Sequence, residues 1–185
     1  MSEPLYRPWG TVTPEFWTAF ATGTVGARQG LAPDTLRARL VKVAEVAQGG
    51  RMDDAAALAA QLDQDVTAEY SEVHLHTVQV REVRGYLAAL MADQAAGLAW
   101  YLHAVQLRVT VQGPGHPDVG EATRRAYSLW RAMPPEADRQ RLGAELLTIA
   151  IDIHGADSHI VRRIRERLYS LALPAAPTSA QLNSA

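Results

Sequence analysis

The chain repeats itself every 42 residues, and that period limits its possible folds more than any other feature of its 185 residues. Positions 32, 74, 116 and 158 open the tetrapeptides APDT, HLHT, HPDV and SHIV. Each ends on a β-branched Thr or Val and runs directly into a segment with helical spacing. Leu58, Trp100 and Leu142 share one register position, and Leu62, Ala104 and Leu146 share another. Between them, QGGRMDDA (48–55), LMADQAAG (90–97) and AMPPEADR (132–139) align as short turns. Asp53 and Asp93 stand near the start of the following helix in the first two copies, and Pro134 and Pro135 suit the turn in the third. A period of this length marks a supersecondary unit that cannot bury its own apolar face and stacks on its neighbours instead.

The spacing within each unit is that of helices. Leu36, Leu40, Val43 and Ala47 fall on one helical face, as do Val80, Val83, Leu87, Leu90 and Met91, while alternation of the strand type is brief everywhere. Residues 31–173 therefore predict an all-α chain of about seven main helices: a short α-solenoid of about three helix-turn-helix repeats plus a C-terminal capping helix. In that cap, SHIVRRIRERLYSLAL, Ile160, Ile164, Leu168 and Leu171 point inward, and Arg162, Arg163, Arg165 and Arg167 point to water. Residues 1–30 form an extension that carries Tyr6, Trp9, Phe16, Trp17 and Phe20. Within it, VTPEFWTAFATG reads as a short helix capped by Thr13 with Pro14 at its first position. Its rings either pack on the repeat domain or form an exposed segment for a partner. Residues 174–185 are small, polar and broken by proline, as expected of a disordered tail.

Chemistry is sparse. The absence of cysteine excludes disulfides, thiolate metal sites and a cysteine nucleophile. The net charge of −2 gives no global reason to expect nucleic acid or an anionic membrane. No basic, apolar leader opens the chain and no apolar run approaches the roughly 18 residues that span a bilayer, so a cytoplasmic protein is expected. His74 and His76 alternate as metal ligands can, but no third ligand stands near them in sequence, and the period already explains them as a loop. His103 beside Trp100 reads as a packing residue. Asp53 and Asp54 suit the positive end of a helix dipole. The glycine-rich GTVGARQG (23–30) lacks the lysine and hydroxyl residue of a phosphate loop. In the linker GPGHPDV, Asp118 is the expected N-cap and His116 has no chemical task. No catalytic residue, metal or cofactor can be named, and the chain does not read as an enzyme.

ADQAAGLAWYLHAVQL (92–107) places Gly97, Tyr101 and Ala104 at small, aromatic and small positions of a second helix, GPGHPDV follows as a linker, and EVHLHTV (72–78) is its degenerate counterpart. In these segments the chain resembles the tetratricopeptide repeat family, in its 42-residue, kinesin-light-chain-like variant, over about residues 32–172. It departs from that pattern at Arg81 and Arg84, where bulky apolar residues are usual, and at Arg139 and Gly143, where small and aromatic ones are. The resemblance implies a concave groove, lined by the first helix of each unit, that holds a peptide segment of a partner protein. Shared register positions on those helices are Arg37, Gln79 and Glu121; Leu40, Glu82 and Arg124; Ala44, Tyr86 and Ser128; and Ala47, Ala89 and Arg131. From them Gln79, Glu82, Tyr86, Arg124, Ser128 and Arg131 are expected to contact the peptide. The arginines of the third unit and the cap form either a solvated face or a patch for anions or acidic peptides. Docking of residues 1–30 into this groove would give autoinhibition or a homodimer. The alternative is a ligand- or peptide-responsive sensor domain of a regulatory system.

Overall fold

The computed structural model describes residues 33–134 and 138–172. The aromatic extension and the C-terminal tail lie outside these residues. Among the described residues the chain is entirely helical: α1 Pro33–Gln48, α2 Met52–Tyr70, α3 Leu75–Leu90, α4 Gln94–Gln112, α5 Pro117–Ala132, α6 Arg139–His154 and α7 His159–Ala172. The 42-residue period survives in the element boundaries. First helices start at 33, 75, 117 and 159 and end at 48, 90 and 132; second helices end at 70, 112 and 154. Each helix packs on its neighbours in sequence, and α4 also touches α6. The fold is a short solenoid of three helix pairs closed by a single helix. None of the described helices is long and apolar enough to cross a membrane.

The links between units share one backbone solution. Ser71, Gly113 and Gly155 follow the second helices with φ of 82°, 86° and 80°. Each donates its N–H back to the carbonyl four residues earlier, Thr67, Val109 and Ile151 respectively. Glycine takes this conformation without cost, whereas a side chain in it is strained. The next helix is then capped by a histidine in the first two links. Nδ1 of His74 accepts the His76 N–H at 3.2 Å, and Nδ1 of His116 accepts the Asp118 N–H at 3.2 Å. Burial holds the His74 ring below its ordinary pKa, which keeps it neutral and its Nδ1 free to accept. Asp118 is therefore not the cap. Pro117 holds the first helical position, and the Asp118 carboxylate turns to other partners.

Two glycines bring α3 and α4 together. A Cβ on Gly85 would lie 3.1 Å from the Gly97 carbonyl oxygen, and one on Gly97 would lie 3.0 Å from that of Gly85. In the third unit the large and small residues change sides. Tyr101 of α4 is fully buried, but its counterpart on α6 is Gly143, and the vacated space is filled from α5 by Trp130. A Cβ on Gly143 would come within 2.5 Å of the Trp130 ring, and the indole Nε1 donates to the Arg139 carbonyl at 2.7 Å. The departure at 143 is thus a compensated exchange of volume, which dense packing requires.

The link geometry gives a direct test. Ser71→Gly removes the strain at φ 82° and should raise the unfolding free energy by about 1 kcal/mol in denaturant titration. Gly113→Ala, where a Cβ meets nothing within 4 Å, should lower it by about the same amount for the backbone reason alone.

Candidate functional site

The six groove residues expected from the sequence do not share one accessible face. Gln79, Glu82 and Tyr86 of α3 are buried, at 7%, 1% and 5% exposure. Arg124, Ser128 and Arg131 of α5 lie at the surface. The reason is clearest at Glu82, whose two carboxylate oxygens accept from Arg108 Nε at 2.6 Å and Nη2 at 2.8 Å. Arg108, buried on α4, continues outward: its Nη1 donates to Gln112 at 2.9 Å and to Asp118 at 3.2 Å. Burial works against the guanidinium charge, but Glu82 and Asp118 outweigh it and the net shift of its pKa is upward. In the first unit the same two positions are Leu40 and Val66, both buried. An apolar pair has been replaced by a bidentate ion pair that reaches the start of α5.

A second polar tie joins α2, α3 and α4. Buried Asp63 accepts from Arg81 Nε at 3.2 Å and from Arg84 Nη1 at 2.5 Å, while Arg81 Nη1 also reaches Glu72 at 2.7 Å and the His103 ring. The hydrogen bond from Arg81 holds the Glu72 carboxyl below the usual carboxylate range. The Arg84 guanidinium lies 3.9 Å from the Trp100 ring centroid. Arg81 and Arg84, which break the apolar pattern of the first helix, are thereby consumed in structure. His74 and His76 pack with Tyr70, at centroid distances of 4.7 Å and 4.9 Å. Tyr101 keeps a buried hydroxyl without a hydrogen bond, and burial, then the Glu82 charge, pushes its pKa far above the ordinary phenol value.

The open site lies farther along the solenoid, between α5 and α7. A groove of about 350 Å³ is lined by Tyr127 and Arg131 from α5 and by Arg163, Glu166, Arg167 and Ser170 from α7. The Arg131 and Arg163 guanidinium carbons stand 5.6 Å and 5.9 Å from the Tyr127 ring centroid. Elsewhere on α5 the arginines share a carboxylate, since Glu121 pairs with Arg124 at 2.7 Å and with Arg125 at 3.3 Å. Arg131 and Arg167 have no carboxylate partner among the described residues. Of the expected residues, the groove contains Arg131. Ser128 and Arg124 lie on the same helix, with Arg124 engaged by Glu121. Arg163, Glu166 and Ser170 were legible: they extend by one more unit the register that runs through Gln79 and Glu121, Glu82 and Arg124, and Tyr86 and Ser128. Tyr127 and Arg167 stand off that register. Guanidinium groups stay protonated at any ordinary pH, so this set can hold an anion but does not exchange protons with it. A second depression, of about 520 Å³, lies against Lys42, Val46, Arg51, Asp54, Ala57 and Leu58, where Arg51 and Asp54 already pair at 3.7 Å.

The buried pair on α3 and α4 makes a quantitative prediction. Glu82→Gln leaves the buried Arg108 charge with only the half-exposed Asp118 at 3.2 Å and should cost about 3 kcal/mol of stability. Glu82→Leu combined with Arg108→Val, the residues of the first unit, should recover most of that loss in the same denaturant titration. A double variant as unstable as the single one would show that these positions do not tolerate the apolar solution.

Comparison with protein families, with characterised proteins and with solved structures gives no match to this chain, so a functional reading rests on its own geometry.

Proposed function

We propose that this chain is a non-catalytic, tetratricopeptide-like interaction module that holds a peptide segment of a partner protein between α5 and α7. The observation that carries the reading is the convergence of first-helix positions from two successive units on one open groove. The corresponding positions of α3 are buried. The groove is of the size that receives a few side chains of a ligand. Its aromatic floor and arginine walls are residue types that dominate binding energy at interfaces. Its walls are helices fixed by the core: Tyr127 and Leu168 pack against the cluster that contains Trp130, Leu146 and Ile164. A site on rigid helices loses little entropy when it is filled.

Peptides selected from a random display library on the full chain test this. Ser170 is exposed at the groove wall, and Ser170→Trp would fill the groove from outside the core. Selected peptides should bind this variant at least about tenfold more weakly, with its thermal midpoint unchanged. Peptides that bind the variant and the parent equally, or a library that yields no binder, would contradict the reading.

A further inference from the structure

We propose that the groove between α5 and α7 selects an acidic peptide segment, whose carboxylates are received by Arg131, Arg163 and Arg167. The inference rests on the reading of this groove as a peptide site and adds the chemistry of the partner.

Three guanidinium groups line this groove, two of them over the Tyr127 ring, with a single carboxylate, Glu166, among the lining residues. On the other described helices many arginines are matched in place: Arg81 and Arg84 by Asp63, Arg108 by Glu82, Arg124 and Arg125 by Glu121, and Arg141 by Asp138 and Glu145. On α7, Arg165 is turned away to the Ala156 carbonyl at 2.9 Å. Arg131 and Arg167 thus bring two charges without a carboxylate partner among the described residues to one groove. Like charges gathered in a concavity repel, and the field they focus there favours an anion. The planar fork of arginine fits a carboxylate with two parallel hydrogen bonds. Tyr127 orients two of the forks through its face and offers apolar surface to the ligand backbone or a neighbouring side chain. A peptide fits better than a nucleic acid. The groove is short, and the chain as a whole is slightly negative, at −2. A polyanion needs a longer basic track.

The test uses the full chain and three fluorescent probes: a Glu/Asp-rich peptide of about ten residues, its Gln/Asn isostere, and an oligothymidylate of similar length. The acidic peptide should bind at least about tenfold more tightly than its isostere, and the difference should shrink as salt rises from about 50 to about 300 mM. Arg131→Glu with Arg167→Glu should abolish that preference. Arg162→Glu, an exposed charge on α7 that does not line the groove, should leave it intact. Both variants carry surface changes, and circular dichroism verifies their folding. Equal binding of the two peptides, with both displaced by a display-selected groove binder, overturns the acidic preference while leaving the peptide site standing. No peptide binding of either kind, with no display-selected binder, overturns both. Tighter binding of the oligothymidylate than of the acidic peptide overturns the choice of partner class.

Discussion

The structure turns on the contact between α3 and α4. Gly85 and Gly97 let the two backbones come within carbonyl contact of each other's missing Cβ, and the pair is then tied by the bidentate bond from Arg108 to Glu82. The tie does not stop there. Through Arg108 and Asp118 it reaches the first turn of α5 and fixes where the third unit begins. On the other side, Arg81 and Arg84 bind Asp63 of α2. One central helix pair therefore sets the placement of both flanking units. A hydrophobic interface alone would leave more latitude to slide, because burial is not directional. Hydrogen-bonded charges in the interior have few acceptable geometries, and this is the sense in which they specify a stack.

The arrangement separates two uses of arginine. In the middle of the solenoid every arginine on an inner position is satisfied within the chain, and that face of α3 is closed. Toward the last helix the internal carboxylates run out. Glu121 pairs with both Arg124 and Arg125 in the first half of α5, but Arg131 in its last turn has no carboxylate partner among the described residues and lies against the ring of Tyr127. The favourable end of the helix dipole stabilises Arg131 there without neutralising it. The opening of the groove and its charge thus have one origin, the point at which internal pairing ends.

Much of this was legible in the sequence, for a definite reason. A strict period fixes boundaries better than local propensity does, and the helix starts at 33, 75, 117 and 159 follow the tetrapeptides that revealed the repeat. What the sequence hid depends on partners far away along the chain. Nothing local to Glu82 announces Arg108, which lies 26 residues away, so a carboxylate at a groove register was read as a contact residue when it is buried. Gly143 looked like a lost aromatic because Trp130, which compensates for it, stands on a different helix. Asp118 outranks histidine as a cap by residue type. Here its carboxylate is held by Arg108 and Gln112, and His116 takes the capping bond. Arg163 was already among the cap arginines of the alternative anion patch. Glu166 and Ser170 were legible from the 42-residue register but passed over by treating α7 as a cap and not as the first helix of a further unit.

The most direct measurement is the side-chain Nε–Hε spectrum of the isotope-labelled arginines during titration with an acidic peptide. The account predicts that Arg131, Arg163 and Arg167 shift together and saturate at one concentration, while Arg81 and Arg108, held by Asp63 and Glu82, stay in place. Shifts confined to other arginines, or a saturating peptide that leaves these three unmoved, would contradict it.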